Sequence, residues 1–268
     1  GDYARVTSGQ VRAELVEPPQ FTIRYAVVYD AEGRMRQSVV NAATANLLYD
    51  GVALVADQGK CGYVDMSGRF VVPQRYVLPP DVPPSWGDFH NGVARVMSTG
   101  KAGLIDASGN FVIQPKYADI GLMECGAVPV KKNKWGYVDR AGGPLMEAVH
   151  DGAWELHNGY GRVRDGELFG LVDSTGRQVL PVKYAAVGDV RDGVLVAAGP
   201  GEGSHTGLVD LAGKVRIPFL YDRIEFVDDS TVLVGRGSGR HIMDMKMAYA
   251  RIADGQFIWK EEGFETGR

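Results

Sequence analysis

One short pattern recurs along the chain: a glycine, two apolar residues, an aspartate and, three residues on, a second glycine. Its clearest copy is Lys134-Trp135-Gly136-Tyr137-Val138-Asp139-Arg140-Ala141-Gly142. Further copies are Gly62-Tyr63-Val64-Asp65 with Gly68, Gly103-Leu104-Ile105-Asp106 with Gly109, Gly170-Leu171-Val172-Asp173 with Gly176, and Gly207-Leu208-Val209-Asp210 with Gly213. Weaker copies flank them, at Tyr29-Asp30-Ala31-Glu32-Gly33 and at His241-Ile242-Met243-Asp244. The aspartates fall at 30, 65, 106, 139, 173, 210 and 244, with spacings of 35, 41, 33, 34, 37 and 34. A nearly fixed period of this size signals a repeat architecture.

The pattern is turn chemistry. Asp-x-x-Gly fits a type I turn in which the aspartate accepts from backbone N–H groups two or three residues on. The glycine takes the left-handed position, giving a three-residue hairpin with a bulge. Seven aspartates could instead form a ring of metal ligands, but each has its own glycine partner, which favours turn capping. The apolar pair after the first glycine breaks alternation, so both faces of this strand should be buried. That glycine should admit a neighbour at close range.

Flanking segments complete the unit. Upstream lie Gly51–Val55, Gly92–Val96, Gly126–Val130, Gly159–Val163 and Gly193–Val196; downstream lie Phe70–Pro73, Phe111–Ile113, Val179–Pro181 and Val215–Pro218. Several end in a proline followed by Tyr76, Tyr117, Tyr184 or Tyr221. Proline stops ladder pairing and so marks a strand end or an edge. Each repeat reads as a three-stranded meander, with an irregular edge piece after the tyrosine.

These residues resemble the WG-repeat (KWG-type) family, whose unit runs Gly-Leu-Ala-Val, Lys-Trp-Gly-Tyr-Ile-Asp, Gly, Val-Ile-Pro-Pro-x-Tyr. The resemblance covers about residues 50–222. The family's tryptophan survives as Trp135, and its slot elsewhere holds Cys61, Ala102, Phe169 and Thr206. The resemblance implies a largely bacterial, interaction-type repeat with no established catalytic residues, so no active site carries over.

The expected fold is all-β, with about seven tandem three-stranded meanders that must stack to bury both faces. Radial stacking gives a β-propeller-like form; linear stacking gives an open β-superhelix. We read residues 1–268 as one repeat domain: a degenerate repeat or cap at 1–50, clear repeats at 51–222, and a degenerate repeat or cap at 223–268. In the last of these, Thr231–Gly235, Arg240–Asp244 and Ala248–Lys260 are the strand candidates. Residues 39–49 read as the one helix candidate, with Asn41 as its cap.

A net charge of −4 leaves no electrostatic footprint for nucleic acid. No apolar run approaches the ~20 residues that span a bilayer. Gly1 in place of Met fits a removed export signal or a cloning scar, so bacterial cytoplasm and periplasm both stay open. Cys61 and Cys125 form no Cys-x-x-Cys motif and read as free, partly buried thiols, with a bridge possible in an exported protein.

Three stretches interrupt the period. The proline-rich insertion from Leu78 to His90 should be stiff and extended; Trp86, Phe89 and His90 at its end form either an exposed anchor for a partner or a plug folded onto the next repeat. The stretch after Asp139 lacks the Pro-x-x-Tyr ending and carries Glu147, His150, Asp151, Trp154, Glu155 and His157. Its spacing matches no zinc motif, and it reads as a solvated loop, yet function tends to sit where a local rule is broken. The loop Ala198–His205 lacks the helix and lysine of a phosphate cradle.

The favoured function is a non-enzymatic protein-binding scaffold, such as a bacterial immunity or inhibitor protein, using inter-repeat loops. The binding candidates are Trp86, Phe89, His90, His150, Trp154, Glu155 and His157, with no metal and no cofactor. The alternatives are a carbohydrate-binding repeat protein, with Trp154 or Tyr160 stacking on sugars, and a metal-dependent hydrolase built on Glu147–His157.

The turn assignment is testable by chemical denaturation. Gly142→Ala puts a β-carbon on a left-handed residue and should cost about 1–2 kcal/mol. Arg140→Ala in the same turn should cost under about 0.5 kcal/mol. Equal losses would contradict the turn.

Overall fold

The repeat unit folds as an antiparallel meander in a computed structural model that describes residues 12–16, 25–29, 35–40, 44–57, 59–65, 69–79, 81–201, 205–237 and 245–264. The architecture is all-β; among the described residues the only helix is one 3-10 turn, Pro84–Gly87. The turn copy at Asp30, the copy at His241–Asp244, the Asn41 cap and the tip of the glycine-rich loop lie outside the described residues.

The chain divides into two compact units, residues 1–133 with 138–144, and residues 134–137 with 145–268. In the first, Arg12–Val16, Tyr25–Tyr29 and Met35–Val40 form a three-stranded sheet. A larger sheet carries Thr44–Tyr49, Val52–Asp57, Lys60–Asp65 and Phe70–Val77, and continues through Val93–Ser98, Lys101–Asp106 and Phe111–Tyr117, with Phe89–His90 paired at its side. In the second unit three four-stranded sheets follow one plan. One holds Gly152–Ala153, Tyr160–Asp165, Leu168–Asp173 and Gln178–Tyr184; the next holds Ala186–Val187, Val194–Ala198, Thr206–Asp210 and Val215–Tyr221; the last holds Arg223–Phe226, Thr231–Arg236, Lys246–Arg251 and Phe257–Lys260.

The edge piece after each tyrosine is therefore the short first strand of the following sheet. It joins the meander through a tight turn. Asp50-Gly51, Asn91-Gly92, Cys125-Gly126, Asn158-Gly159 and Asp192-Gly193 all have positive φ at both residues, and the flanking residues pair directly, as in Tyr49↔Val52 and His90↔Val93. This is the two-residue hairpin whose twist matches the strands it joins. It also overturns the helix expected at 39–49. Val39 and Val40 end one strand, and Thr44–Tyr49 pairs with Val52–Asp57 across the Asp50-Gly51 turn. A strong Asp-Gly hairpin signal outweighs a weak helical run.

The second turn is as the sequence predicts. The Asp106 carboxylate accepts from the Ser108 and Asn110 N–H groups at 2.9 Å each, and Gly109 has φ 81°. Asp139, Asp173 and Asp210 repeat the arrangement. The donors lie two and four residues on, rather than two or three. The Asn110 N–H beside Asp106 is the main reason its carboxyl sits below the usual range. At Asp173 and Asp210 burial pushes the carboxyl up, but the turn donors and Arg177 or Arg216 outweigh it.

The central strand is buried on both faces, with Gly103, Leu104 and Ile105 all inaccessible. Its glycine sits under a bulge of the third strand. Ala102 pairs with Tyr117 and Leu104 with Ile113, so Gln114, Pro115 and Lys116 together oppose Gly103. A β-carbon on Gly103 would lie 2.6 Å from the Ile113 carbonyl oxygen and 2.8 Å from the Pro115 nitrogen. Gly62, Gly170 and Gly207 face the same bulge, at Pro73, Pro181 and Pro218. The prolines thus sit within the third strand, at a bulge, where no ladder N–H is needed. They do not end it.

The strand closes on the buried tyrosine. Cys61, Ala102, Phe169 and Thr206, the residues in the tryptophan slot, pair with Tyr76, Tyr117, Tyr184 and Tyr221. Tyr76, Tyr184 and Tyr221 pack edge-on or tilted against Phe111, Phe219 and Phe257 of the next repeat, with ring centroids about 6.0 Å apart.

In the last sheet the central strand is Lys246–Arg251, not the segment around Asp244. Ala248 takes the glycine's place and Arg251 the aspartate's; Asp254 caps the turn by accepting from the Gln256 N–H at 3.0 Å. The proline-rich insertion is also not extended throughout. Cys61 is buried and its thiol is pushed up to about 12 by that burial; Cys125 is exposed, and both are free.

The two glycine roles separate by mutation. Gly193 has φ 78° and open space around a new β-carbon, so Gly193→Ala should cost about 1 kcal/mol. Gly170→Ala would press 2.7 Å onto the Leu180 carbonyl oxygen and should cost about 3 kcal/mol or more. Denaturant midpoints would show the difference, and similar costs would contradict the bulge.

Candidate functional site

The insertion's aromatic residues are buried. Trp86 packs among Val93, Ala102 and Tyr117 of the first unit, and the Arg95 guanidinium lies 4.9 Å from its ring centroid. Phe89 meets Tyr63 edge-on at 4.9 Å, and the Tyr63 hydroxyl donates to the Gly87 carbonyl at 2.6 Å. Of the two readings of this loop, the plug is the one the packing fits, and the exposed anchor at Trp86 and Phe89 is corrected. Only His90 stays exposed, with its Nε2 2.5 Å from a Glu124 carboxylate oxygen.

The altered stretch after Asp139 is strand rather than solvated loop: Pro144–His150 and then Gly152–Ala153. Its ligand-type residues find separate partners. His150 Nδ1 is 2.8 Å from Asp165. Asp151 pairs with Lys134 and accepts from the Gly166 N–H at 2.9 Å, and the Lys134 bond is the first cause of its lowered carboxyl pKa. His157 Nε2 is 3.7 Å from Asp189, whose carboxylate is 2.5 Å from Arg162. Among the described residues no three of His, Cys, Asp and Glu gather as a metal would need.

Trp154 is different. It is 40% exposed and its position is fixed from below. The Tyr137 hydroxyl donates to the Trp154 carbonyl at 2.6 Å and reaches the Arg162 carbonyl at 3.2 Å. Gly161 leaves room for that hydroxyl, since a β-carbon there would lie 2.4 Å from it. Burial pushes the Tyr137 hydroxyl well above its usual pKa, so it stays a donor. Gly152 lets the indole lie over the strand, and the ring rests on Phe169 with centroids 5.8 Å apart. The Arg164 guanidinium is 6.0 Å from the indole centroid, and its Nε is buried with no acceptor among the described residues. Val149, 54% exposed, stands on the preceding strand.

Two hollows lie by the turns of the same unit. One, of about 530 Å³, is lined by Asn158, Tyr160, Val190, Arg191, Asp192 and Asp229. The other, of about 370 Å³, is lined by Gly188, Asp189, Arg191, Ile224, Glu225 and Phe226. Arg191 belongs to both and lies over the Phe226 ring at 5.1 Å. Asn158 donates to the Val190 carbonyl at 3.3 Å, tying one turn to the next repeat. Sequence reasoning missed Arg164, Asp189 and Arg191. Arg164 follows one hairpin glycine and Arg191 precedes another, and only tertiary contacts place them beside Trp154 and Phe226.

No helix among the described residues is long and apolar enough to cross a membrane. Among solved structures, a eukaryotic initiation factor is 12% identical, with 96% of this chain and 77% of that one covered and a TM-score of 0.49. Kluyveromyces lactis Hsv2 is 9% identical over 90% of this chain and 94% of its own, with a TM-score of 0.37. The dihydro-heme d1 dehydrogenase NirN is 10% identical over 93% and 66%, with a TM-score of 0.36. A search of curated proteins gives no match. The WG containing repeat family matches residues 103–134, 169–198 and 207–234, the segments that hold the bulge-covered glycines Gly103, Gly170 and Gly207. The chain is thus a repeat scaffold that carries WG containing repeats over those three segments.

Proposed function

We propose that the chain is a non-enzymatic binding scaffold whose partner is a protein docked on the Trp154 surface. The observation that carries this is the half-exposed Trp154 beside Arg164. Tryptophan and arginine dominate the energetics of protein interfaces. The Trp154 main chain is held by hydrogen bonds and its ring by packing on Phe169 and over Gly152, so little ordering remains to oppose binding. Glu155 and the exposed His157 lie on the same stretch and extend the surface, with His150 held inward on Asp165. Neutralisation of a bacterial partner, as an immunity or inhibitor protein, is the role this reading favours, on the company that WG repeats keep.

Affinity capture from lysate of the source cell tests it, with Trp154→Ala as the control. A stoichiometric protein captured by the native chain should bind the variant at least about tenfold more weakly, the loss expected for an interface anchor. The variant should remain folded with a denaturant midpoint lowered by the lost packing on Phe169, about 1–2 kcal/mol, so capture is compared well below that midpoint. Equal capture by both would remove Trp154 from the interface.

A second reading is carbohydrate binding. The 530 Å³ hollow combines the Tyr160 ring with the planar polar groups of Asn158, Arg191 and Asp192, a mixture suited to stacking on and hydrogen-bonding a sugar. A glycan array without a hit would discard it.

A further inference from the structure

In the second unit each sheet offers one row of side chains to the sheet that follows. In the second of its three sheets that row is Val196, Leu208 and Ile217, paired in register. Leu208 and Ile217 are fully buried, because Ile224, Val232, Val234, Ala248 and Ala250 of the last sheet pack on them. Leu171 and Leu180 of the sheet before are covered in the same way by Val187, Leu195, Ala197 and Val209. With Ala248 in the place of Gly207, the equivalent row of the last sheet is Leu233, Tyr249 and Trp259, again paired in register. Here Tyr249 is 37% exposed and Trp259 50%, with ring centroids 5.6 Å apart. The stacking face is built, and among the described residues it stays open. Terminal repeats of such arrays end on a polar face. This one ends on two large rings, with half-buried Leu233 and Met247 beside them.

We propose that a second copy of the chain covers this face, the two last sheets packing face to face about a two-fold axis. Antiparallel sheets with an apolar face stack about 10 Å apart with their strands within about 30°, and a two-fold contact brings the same patch from both subunits together. The charges fit a copy. The chain carries −4 in all, which sets copies apart, but the ionised groups around this face are matched within it. Arg223 pairs with Glu225 on the first strand, Lys246 with Glu261 at one margin and Arg251 with Asp254 at the turn. Two such faces meet without net repulsion, whereas a strongly acidic or basic partner finds no complement. Tyrosine and tryptophan in place of leucine and isoleucine suit a contact between subunits, since each buries a large apolar area and keeps a polar tip for the rim. The two rings are inclined by 48°, so they present no single plane to a sugar polymer.

Sedimentation velocity on the full chain over about a hundredfold range of concentration tests this. The expected result is a monomer that becomes a dimer as concentration rises. Trp259→Glu should raise the dimer dissociation constant at least about tenfold, with the fold kept by circular dichroism because the ring is half in solvent. Trp154→Ala, two sheets away, should dimerise as the native chain does. Hydrogen exchange needs no variant: in the native chain Lys246–Arg251 and Phe257–Lys260 should be better protected at the high concentration than at the low. A monomer at every concentration, with another segment or a different protein as the occupant, would overturn the proposal, and so would a dimer that Trp259→Glu leaves intact.

Discussion

The structure depends on one close approach. In each clear repeat the third strand bulges inward so that three of its residues, usually with a proline among them, oppose one glycine of the central strand. Carbonyl oxygens come within 2.5–2.8 Å of where a β-carbon would stand, which excludes every other side chain. The bulge turns the third strand so that its tyrosine drops into the core opposite the tryptophan slot. In three of these repeats the same tyrosine, Tyr76, Tyr184 or Tyr221, then meets an aromatic residue of the following repeat. Hairpin, bulge and inter-repeat packing are therefore one coupled device, repeated along the chain.

This coupling explains why the tryptophan slot tolerates so much change. Where the tyrosine is present the slot holds Cys61, Ala102, Phe169 or Thr206. In the repeat of Asp139 the Pro-x-x-Tyr ending is missing and the tryptophan remains as Trp135. Slot and tyrosine contribute to one packed volume, and cores accept exchanges that keep total volume. The glycine cannot vary in this way where the bulge presses backbone on it; the last sheet, whose edge strand has no such bulge opposite this position, holds Ala248 there.

Much of the fold was legible because its constraints are local. A glycine under a bulge and an aspartate capping its own turn leave a mark at a fixed position, so the central strands and their hairpins could be read directly. The tight hairpin turns are less legible: Cys125 occupies a left-handed position where asparagine or aspartate is usual, and residues 39–49, just before Asp50-Gly51, have a helix-like run. The last repeat misled because Ala248 and Arg251 replace the diagnostic glycine and aspartate. At the candidate site Trp154 was legible as an aromatic residue where the pattern breaks. The burial of Trp86 and Phe89 was weighed but not decided, since a proline-rich loop can point its aromatic residues either way. Arg164 and Arg191 became visible only through tertiary contacts that sequence spacing does not encode.

The central claim is that each repeat is held by its bulge-covered central strand. Amide hydrogen exchange followed by mass spectrometry tests it most directly. Segments containing Gly103–Asp106, Gly170–Asp173 and Gly207–Asp210 should exchange most slowly, at the rate of global unfolding. Their tight hairpin turns, such as Asn158-Gly159, should exchange fast. Slowest exchange in the third strands instead, with the central strands open, would contradict the account.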